Sequence, residues 1–132
     1  METINTLDSL SFDSLFIAFN EAFNDYEVQI NIDELHLMLS RRGFVPELSF
    51  GLFEERKLVS FTLNGIGEYN GEKTAHDTGT GTIKEYRGRG YTSRIFNESI
   101  PFLRQSGVTQ YLLGVLQHNT KAVSVYKNRD SR

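Results

Sequence analysis

Cysteine and tryptophan are absent from the 132 residues, and no apolar run approaches the roughly 20 residues of a membrane span. Without cysteine there is no disulfide, no thiol nucleophile and no thiol redox centre. The opening residues Met1-Glu2-Thr3-Ile4-Asn5 lack the basic and apolar regions of a secretory signal, so the expected compartment is the cytoplasm and no membrane is expected as a partner. Internal repeats, low-complexity tracts and linkers are lacking too, and residues 1–132 read as a single domain. What is present is an ordinary globular composition, 39% apolar with 10 Phe and 6 Tyr. A chain of this size buries about two thirds of its unfolded surface and needs no metal to fold.

Charge of either sign is unevenly placed. Residues 1–83 carry 5 basic and 14 acidic side chains, a net of −9, whereas residues 84–132 carry 9 basic and 3 acidic ones, a net of +6. A basic half attracts an anion. The acidic half would repel a long polyanion, so the expected ligand is compact and carries a few phosphates, and nucleic acid is not expected as a partner.

Apolar periodicity predicts a helix over Ser11 to Phe23 with Ser11 as N-cap, and a second over Ile32 to Arg42 capped by Asn31 and closed by Gly43. The period then changes. Leu48 to Glu54 and Leu58 to Leu63 read as a hairpin around Glu55-Arg56-Lys57, and Asn70-Gly71 is a strong turn signal. Thr74 to Ile83 reads as a third strand whose Gly79 and Gly81 suggest that something approaches the backbone closely. A helix from Tyr91 to Gln105, bent at Pro101, is followed by a buried strand over Val108 to Leu116 and a last helix from about Asn119, with Ala122, Val123 and Tyr126 inward. The expected class is α+β, a mixed, mostly antiparallel sheet flanked by helices.

The segment with chemistry in it is Arg87-Gly88-Arg89-Gly90-Tyr91-Thr92, a Gly/Arg turn between a strand and a helix. Gly88 and Gly90 permit positive φ, so successive N–H groups can converge on phosphate oxygens at the helix start, and Arg87 and Arg89 add charge. Neither the Walker A spacing nor G-x-G-x-x-G is present. His36, His76 and His118 fall in separate elements with no metal-ligand spacing, so no metal is expected.

Arg87-Gly-Arg-Gly90-Tyr-Thr92 resembles the R/Q-x-x-G-x-G/A signature of the GNAT superfamily of N-acetyltransferases, with Thr92 where Gly or Ala is usual. Asn119-Thr-Lys-Ala122-Val-Ser-Val-Tyr126 resembles the second signature of that family, in the right order and one helix and one strand later. The resemblance covers nearly the whole chain and implies an acyl-CoA N-acyltransferase fold. It implies acetyl-CoA as co-substrate and a primary amine as acceptor, attacking the thioester directly with neither a protein nucleophile nor a metal.

The resemblance also implies roles. Backbone groups of Thr82, Ile83 and Lys84 would pair with the pantetheine arm, in a V-shaped splay between Thr80–Ile83 and Tyr111–Leu116. Arg87, Gly88, Arg89, Gly90, Tyr91 and Thr92 would hold the pyrophosphate, Asn119 would contact the pantetheine arm, and Tyr126 would act as general acid toward the departing thiolate. The base is favoured to be Asp77, with His76, Glu68, Tyr26 or a water chain as alternatives. The acidic N-terminal half suits a cationic acceptor. The family continues beyond the Tyr with two more strands, whereas this sequence ends at Arg132. The expectation is therefore a fold lacking its last two strands, with the strand over Tyr111 to Leu116 exposed and able to pair in a homodimer. A non-catalytic acyl-CoA-binding or interaction module is the alternative.

Overall fold

The computed structural model describes residues 1–25, 29–115 and 119–124, apart from the side chains of residues 113–115 and 119–124. Among the described residues six strands form one sheet in sequence order, β1 (Glu2–Thr6), β2 (Phe50–Glu54), β3 (Lys57–Tyr69), β4 (Glu72–Thr82), β5 (Gln110–Val115) and β6 (Asn119–Ser124). All neighbours are antiparallel except β4 and β5, which are parallel and joined by helix α3 (Tyr91–Gln105). A parallel pair needs such a crossover, because a tight turn reverses the chain.

Helices α1 (Phe12–Ala22) and α2 (Ile32–Arg41) begin where their caps allow. Ser11 Oγ accepts the Ser14 N–H at 3.1 Å, and Asn31 and Glu34 exchange side-chain to backbone bonds at 2.8 Å in a reciprocal capping box. Leu15, Ala18 and Ala22 of α1 and Leu35 and Leu39 of α2 are buried. The Phe61 ring of β3 lies 6.0 Å from that of Phe19 in α1. Phe50 and Thr62 pair across β2 and β3, so they share the face opposite Phe61, and there Phe50 meets Phe102 of α3 at 5.6 Å. The sheet is thus sandwiched, with α1 on one face and α3 on the other.

Two expectations are corrected, and one strand is added. Glu2–Thr6, to which the sequence reading gave no element, is strand β1. It lies against β2, and Arg94 of α3 ties it down by donating to Glu2 Oε1 at 2.5 Å. Asn119–Ser124 is strand β6 instead of the start of a helix, paired antiparallel with β5 from Gln110↔Ser124 to Val115↔Asn119. That pairing covers the edge of β5 on which the expected homodimer rested. Helix α3 keeps its expected bounds and continues through Pro101.

Both two-residue hairpins use positive φ. Asn70 and Gly71, at 55° and 80°, are suited to it, whereas Glu55 and Arg56, at 50° and 73°, are not. Arg56→Gly is therefore expected to stabilise the fold by about 1 kcal/mol, seen as a higher urea midpoint with unchanged slope. A lower midpoint would mean that the arginine side chain does more than bear strain.

Candidate functional site

The sheet opens in its middle. β4 and β5 pair only over Thr74↔Gln110, Ala75↔Tyr111 and His76↔Leu112, although β4 runs on to Thr82 and β5 to Val115. Beyond His76, β4 stays with β3 through an irregularity at Leu63/Asn64 that leaves Thr78 without a cross-strand partner. Ile83 N–H donates to Val59 O at 2.8 Å, and alternation along an antiparallel ladder then turns the backbone groups of Thr82 and Thr80 toward the split. Ile83 itself is not available in the way the sequence reading assigned. Its N–H serves Val59, its carbonyl accepts from Tyr86 N at 2.8 Å, and its side chain is buried. The Lys84 carbonyl accepts from Arg87 N at 3.2 Å.

Gly79 and Gly81 do admit a close approach, but from a different direction. A Cβ at Gly81 would lie 3.0 Å from the Phe23 ring and 3.1 Å from the Phe61 ring, and one at Gly79 would lie 3.6 Å from Phe19. These glycines let the aromatic end of α1 settle on the face of the sheet. A chain lying in the split would approach in the sheet plane, where Cβ does not project.

At the top of the split stands the glycine turn. Gly88 and Gly90 have φ of 79° and 74°, and a Cβ built on either meets nothing within 4 Å. Gly90 is the N-cap of α3 and has no side chain with which to cap it, so the N–H groups of the first turn, Tyr91 and Thr92 among them, are left to solvent or a ligand. The first turn also carries no acidic residue that would oppose an anion.

The side chains of the turn point to different ends. Arg87 donates from Nε to Thr82 O at 3.0 Å, from Nη2 to Ala22 O at 2.7 Å, and from Nη1 to Asp25 Oδ2 at 3.1 Å. The guanidinium therefore holds protein acceptors where the sequence reading expected phosphate. Its hydrogen bond keeps the Asp25 carboxyl below the usual carboxylate range. Arg89 is exposed, donates to Glu85 O at 3.2 Å and lies over the Tyr86 ring at 5.0 Å. The Tyr91 side chain is buried, its hydroxyl set between Glu54 Oε2 at 2.7 Å and Glu2 Oε2 at 2.9 Å. That pair of carboxylates, Glu54 first, raises the phenol's pKa. Only the Tyr91 backbone can therefore face a ligand.

Asp77 is the first residue of β4 past the paired stretch and is exposed, with Oδ1 accepting from Gly79 N at 2.9 Å and Thr80 Oγ1 at 2.8 Å. The neighbouring His76 Nε2 lies 2.8 Å from the Arg42 carbonyl, which directs a proton onto that nitrogen and occupies it. Asn119 opens β6 opposite Val115, beside the splayed end of β5. Tyr126, Tyr26 and His118 lie outside the described residues. Glu68 pairs with Lys73 near the far end of the β3–β4 hairpin, away from the split.

Sequence reasoning missed the lock at the vertex of the split. Tyr111 donates its hydroxyl proton to Asn64 Oδ1 at 2.5 Å, Asn64 Nδ2 donates to Leu48 O at 2.8 Å, and Asn64 N–H donates to Ser49 Oγ at 2.8 Å. All three side chains are essentially buried. The signal was present as an amide, Asn64, directly after the extended pattern of Leu58 to Leu63. An open groove of about 560 Å³ beside Met1, Thr3, Asn5 and Phe53 lies at the β1 edge, away from the split, and has no part in this site.

Known proteins share this fold. In solved structures the chain resembles a GNAT family acetyltransferase from Brucella melitensis in complex with acetyl-CoA, with a TM-score of 0.71 and 12% identity over 94% of this chain and 88% of that one. It also resembles the ribosomal-protein-S18-alanine N-acetyltransferase of Escherichia coli, at 0.65 and 17% over 90% and 70%. A GNAT family acetyltransferase from Staphylococcus aureus gives 0.67 and 14%, over 89% of each chain. At such identities these likenesses speak to the fold alone. A comparison with curated proteins finds no match. The family model for the acetyltransferase (GNAT) family matches residues 11–130, and with the split sheet and uncapped glycine turn in place the chain belongs to that family.

Proposed function

We propose that the chain transfers an acetyl group from acetyl-CoA to a primary amine. The observation that carries this reading is the parting of β4 from β5 after His76 and Leu112, which leads straight to the uncapped start of α3. Along the split the Thr80 and Thr82 backbone groups of β4 face outward as a strand edge faces a partner. An extended chain with amide groups, such as pantetheine, satisfies that edge. The N–H groups from Gly88 to Thr92 receive the pyrophosphate, with Arg89 adjacent.

The amine nitrogen attacks the thioester carbonyl carbon, the C–S bond breaks, and the thiolate leaves with a proton. Asp77 takes the proton that the ammonium acceptor must lose before it attacks; Tyr126 gives its proton to the departing sulfur and regains one from the nitrogen, which sheds its second proton as the amide forms. Asp77 stands at the base of the split, just past the last paired residue, which supports its assignment, and His76, with Nε2 held by the Arg42 carbonyl, keeps only Nδ1 for that role. Asn119, on the strand beyond the splay, contacts the pantetheine arm. The acidic N-terminal half favours a cationic acceptor.

Calorimetric titration with CoA, acetyl-CoA and ATP, followed by thiol release from acetyl-CoA with a panel of cationic, neutral and anionic amines, tests the reading. The expected result is one CoA site, weaker binding of ATP, and turnover favouring cationic amines. Absence of CoA binding would overturn it. CoA binding without thiol release for any amine would transfer the chain to the class of non-catalytic acyl-CoA modules.

A further inference from the structure

We infer that Arg87, which opens the glycine turn, is a positioning residue that braces the acyl-CoA side of the split against the end of α1, and that its guanidinium does not bind phosphate. The inference rests on the acetyl-CoA reading above and deepens it. Three elements meet at this side chain. Nε holds the Thr82 carbonyl, which alternation places on the open edge of β4, at 3.0 Å. Nη2 holds the Ala22 carbonyl, the last of α1, at 2.7 Å, and Asp25 just beyond the helix accepts from Nη1 and Nη2 at 3.1 and 3.4 Å.

Each contact has a physical reason. The last carbonyls of a helix have no intrahelical donor, and a cation there also meets the negative end of the helix dipole. A planar guanidinium presents donors in a fixed fork, so one side chain can hold a strand carbonyl, a helix-end carbonyl and a carboxylate together, which a lysine cannot. To chelate a phosphate the same fork would have to leave Ala22 and Asp25, uncovering the buried end of α1. The brace also fixes how the edge of β4 is used. With its carbonyl held by Arg87, Thr82 offers the split its N–H, and the next outward-facing pair lies at Thr80.

The brace links two sides of the site that are remote in sequence. Phe19 of α1 and Phe23 at its C-cap rest on Gly79 and Gly81, beside the strand edge that Arg87 holds. Loosening Arg87 frees the end of α1 and the edge of β4 together. A phosphate ligand, by contrast, would affect only molecules that carry the phosphates.

The test compares acetyl-CoA with acetyl-pantetheine, which lacks the pyrophosphate, in the full chain and its Arg87→Ala, Arg87→Lys and Asp25→Asn variants. For Arg87→Ala, kcat/KM is expected to fall by about tenfold for both thioesters alike, with calorimetric CoA stoichiometry intact. Asp25→Asn is expected to reproduce part of that fall, non-additively with Arg87→Ala, and Arg87→Lys is expected not to rescue it. A fall for acetyl-CoA alone would make Arg87 a phosphate ligand and overturn the inference. Lost stoichiometry with unchanged KM would reduce it to general stability and overturn it as well. If the wild-type chain binds no CoA, the acetyl-CoA reading fails separately. Amide hydrogen exchange then decides the brace: Arg87→Ala and Asp25→Asn must each raise exchange both at residues 22–25 and at residues 82–88. A rise confined to one of the two segments overturns it.

Discussion

Asn64→Leu is expected to remove about 3 to 4 kcal/mol of stability, because it strands two buried groups that each cost about 1 to 3 kcal/mol when unpaired. The groups are the Leu48 carbonyl, which loses the amide donor at 2.8 Å, and the Tyr111 hydroxyl, which loses its acceptor at 2.5 Å. Leucine keeps the branched outline and is the larger residue, so none of the loss comes from a cavity. Tyr111→Phe leaves one orphan, the Asn64 Oδ1, and is expected to cost about 1 to 2 kcal/mol. Combining the two removes both partners of one bond. The double variant should therefore cost less than the sum of the singles by at least about 1 kcal/mol. Urea midpoints of the four proteins check this, and additivity to within about 0.5 kcal/mol would show that the vertex is not a coupled lock.

The same lock has a pH signature. Burial, with Asp77 as a smaller cause, pushes the Tyr111 phenol well above its ordinary value. A raised pKa means that the folded state holds the proton more tightly than the unfolded one. Its contribution is fully present below the unfolded phenol value of about 10 and is lost as pH rises toward the folded value. Tyr111→Phe should therefore flatten the alkaline limb of stability against pH while lowering the plateau. An unchanged limb would assign the alkaline loss to other groups.

Much of this architecture was legible from local signals. Helix α3 was bounded by Gly90 and Gly107, and its buried Ile95, Ile100 and Leu103 follow the helical period. The Asn31 and Glu34 spacing wrote the start of α2. β1 was not legible, because Glu2-Thr-Ile-Asn-Thr6 has a single apolar residue and is held by β2 and by Arg94, partners far along the chain. Asn119–Ser124 failed for a related reason. Six residues with Ala122 and Val123 adjacent fit either period, and the pairing with β5 decides for a strand.

The candidate site divides the same way. Gly88 and Gly90 announced positive φ, since backbone freedom is a property of the residue itself. The direction of the Arg87 guanidinium was hidden because its carboxylate partner lies 62 residues earlier. The split itself is a matter of where hydrogen bonding stops, and no residue type encodes that alone. It follows from the irregularity of β4 at Thr78 and from the short overlap with β5.

Gly90→Val is expected to weaken CoA binding by about a hundredfold, the loss of two or more charge-assisted bonds at the anion site. Gly90 sits at φ 74° with open space where a Cβ would project, so the substituent meets no protein atom and is felt through the backbone and by a ligand in that space. The backbone strain alone costs about 1 to 2 kcal/mol of stability, since a β-branched residue resists the left-handed region. Gly43 provides the matched control, with φ 78° and equally open surroundings at the end of α2. Gly43→Val should bear similar strain and leave CoA affinity within about twofold, because no N–H group of that turn faces the split. Gly90→Asn separates the two effects further. Asparagine tolerates positive φ, so stability should recover while CoA affinity remains reduced by about tenfold through the added side chain. Calorimetric titration and urea unfolding of the three variants read affinity and stability independently. If affinity tracked stability across all three, the glycine turn would be structural and the pyrophosphate would have to bind elsewhere. If Gly90→Asn bound CoA weakly while folding as well as the parent, the open space above Gly90 would be where the anion lies.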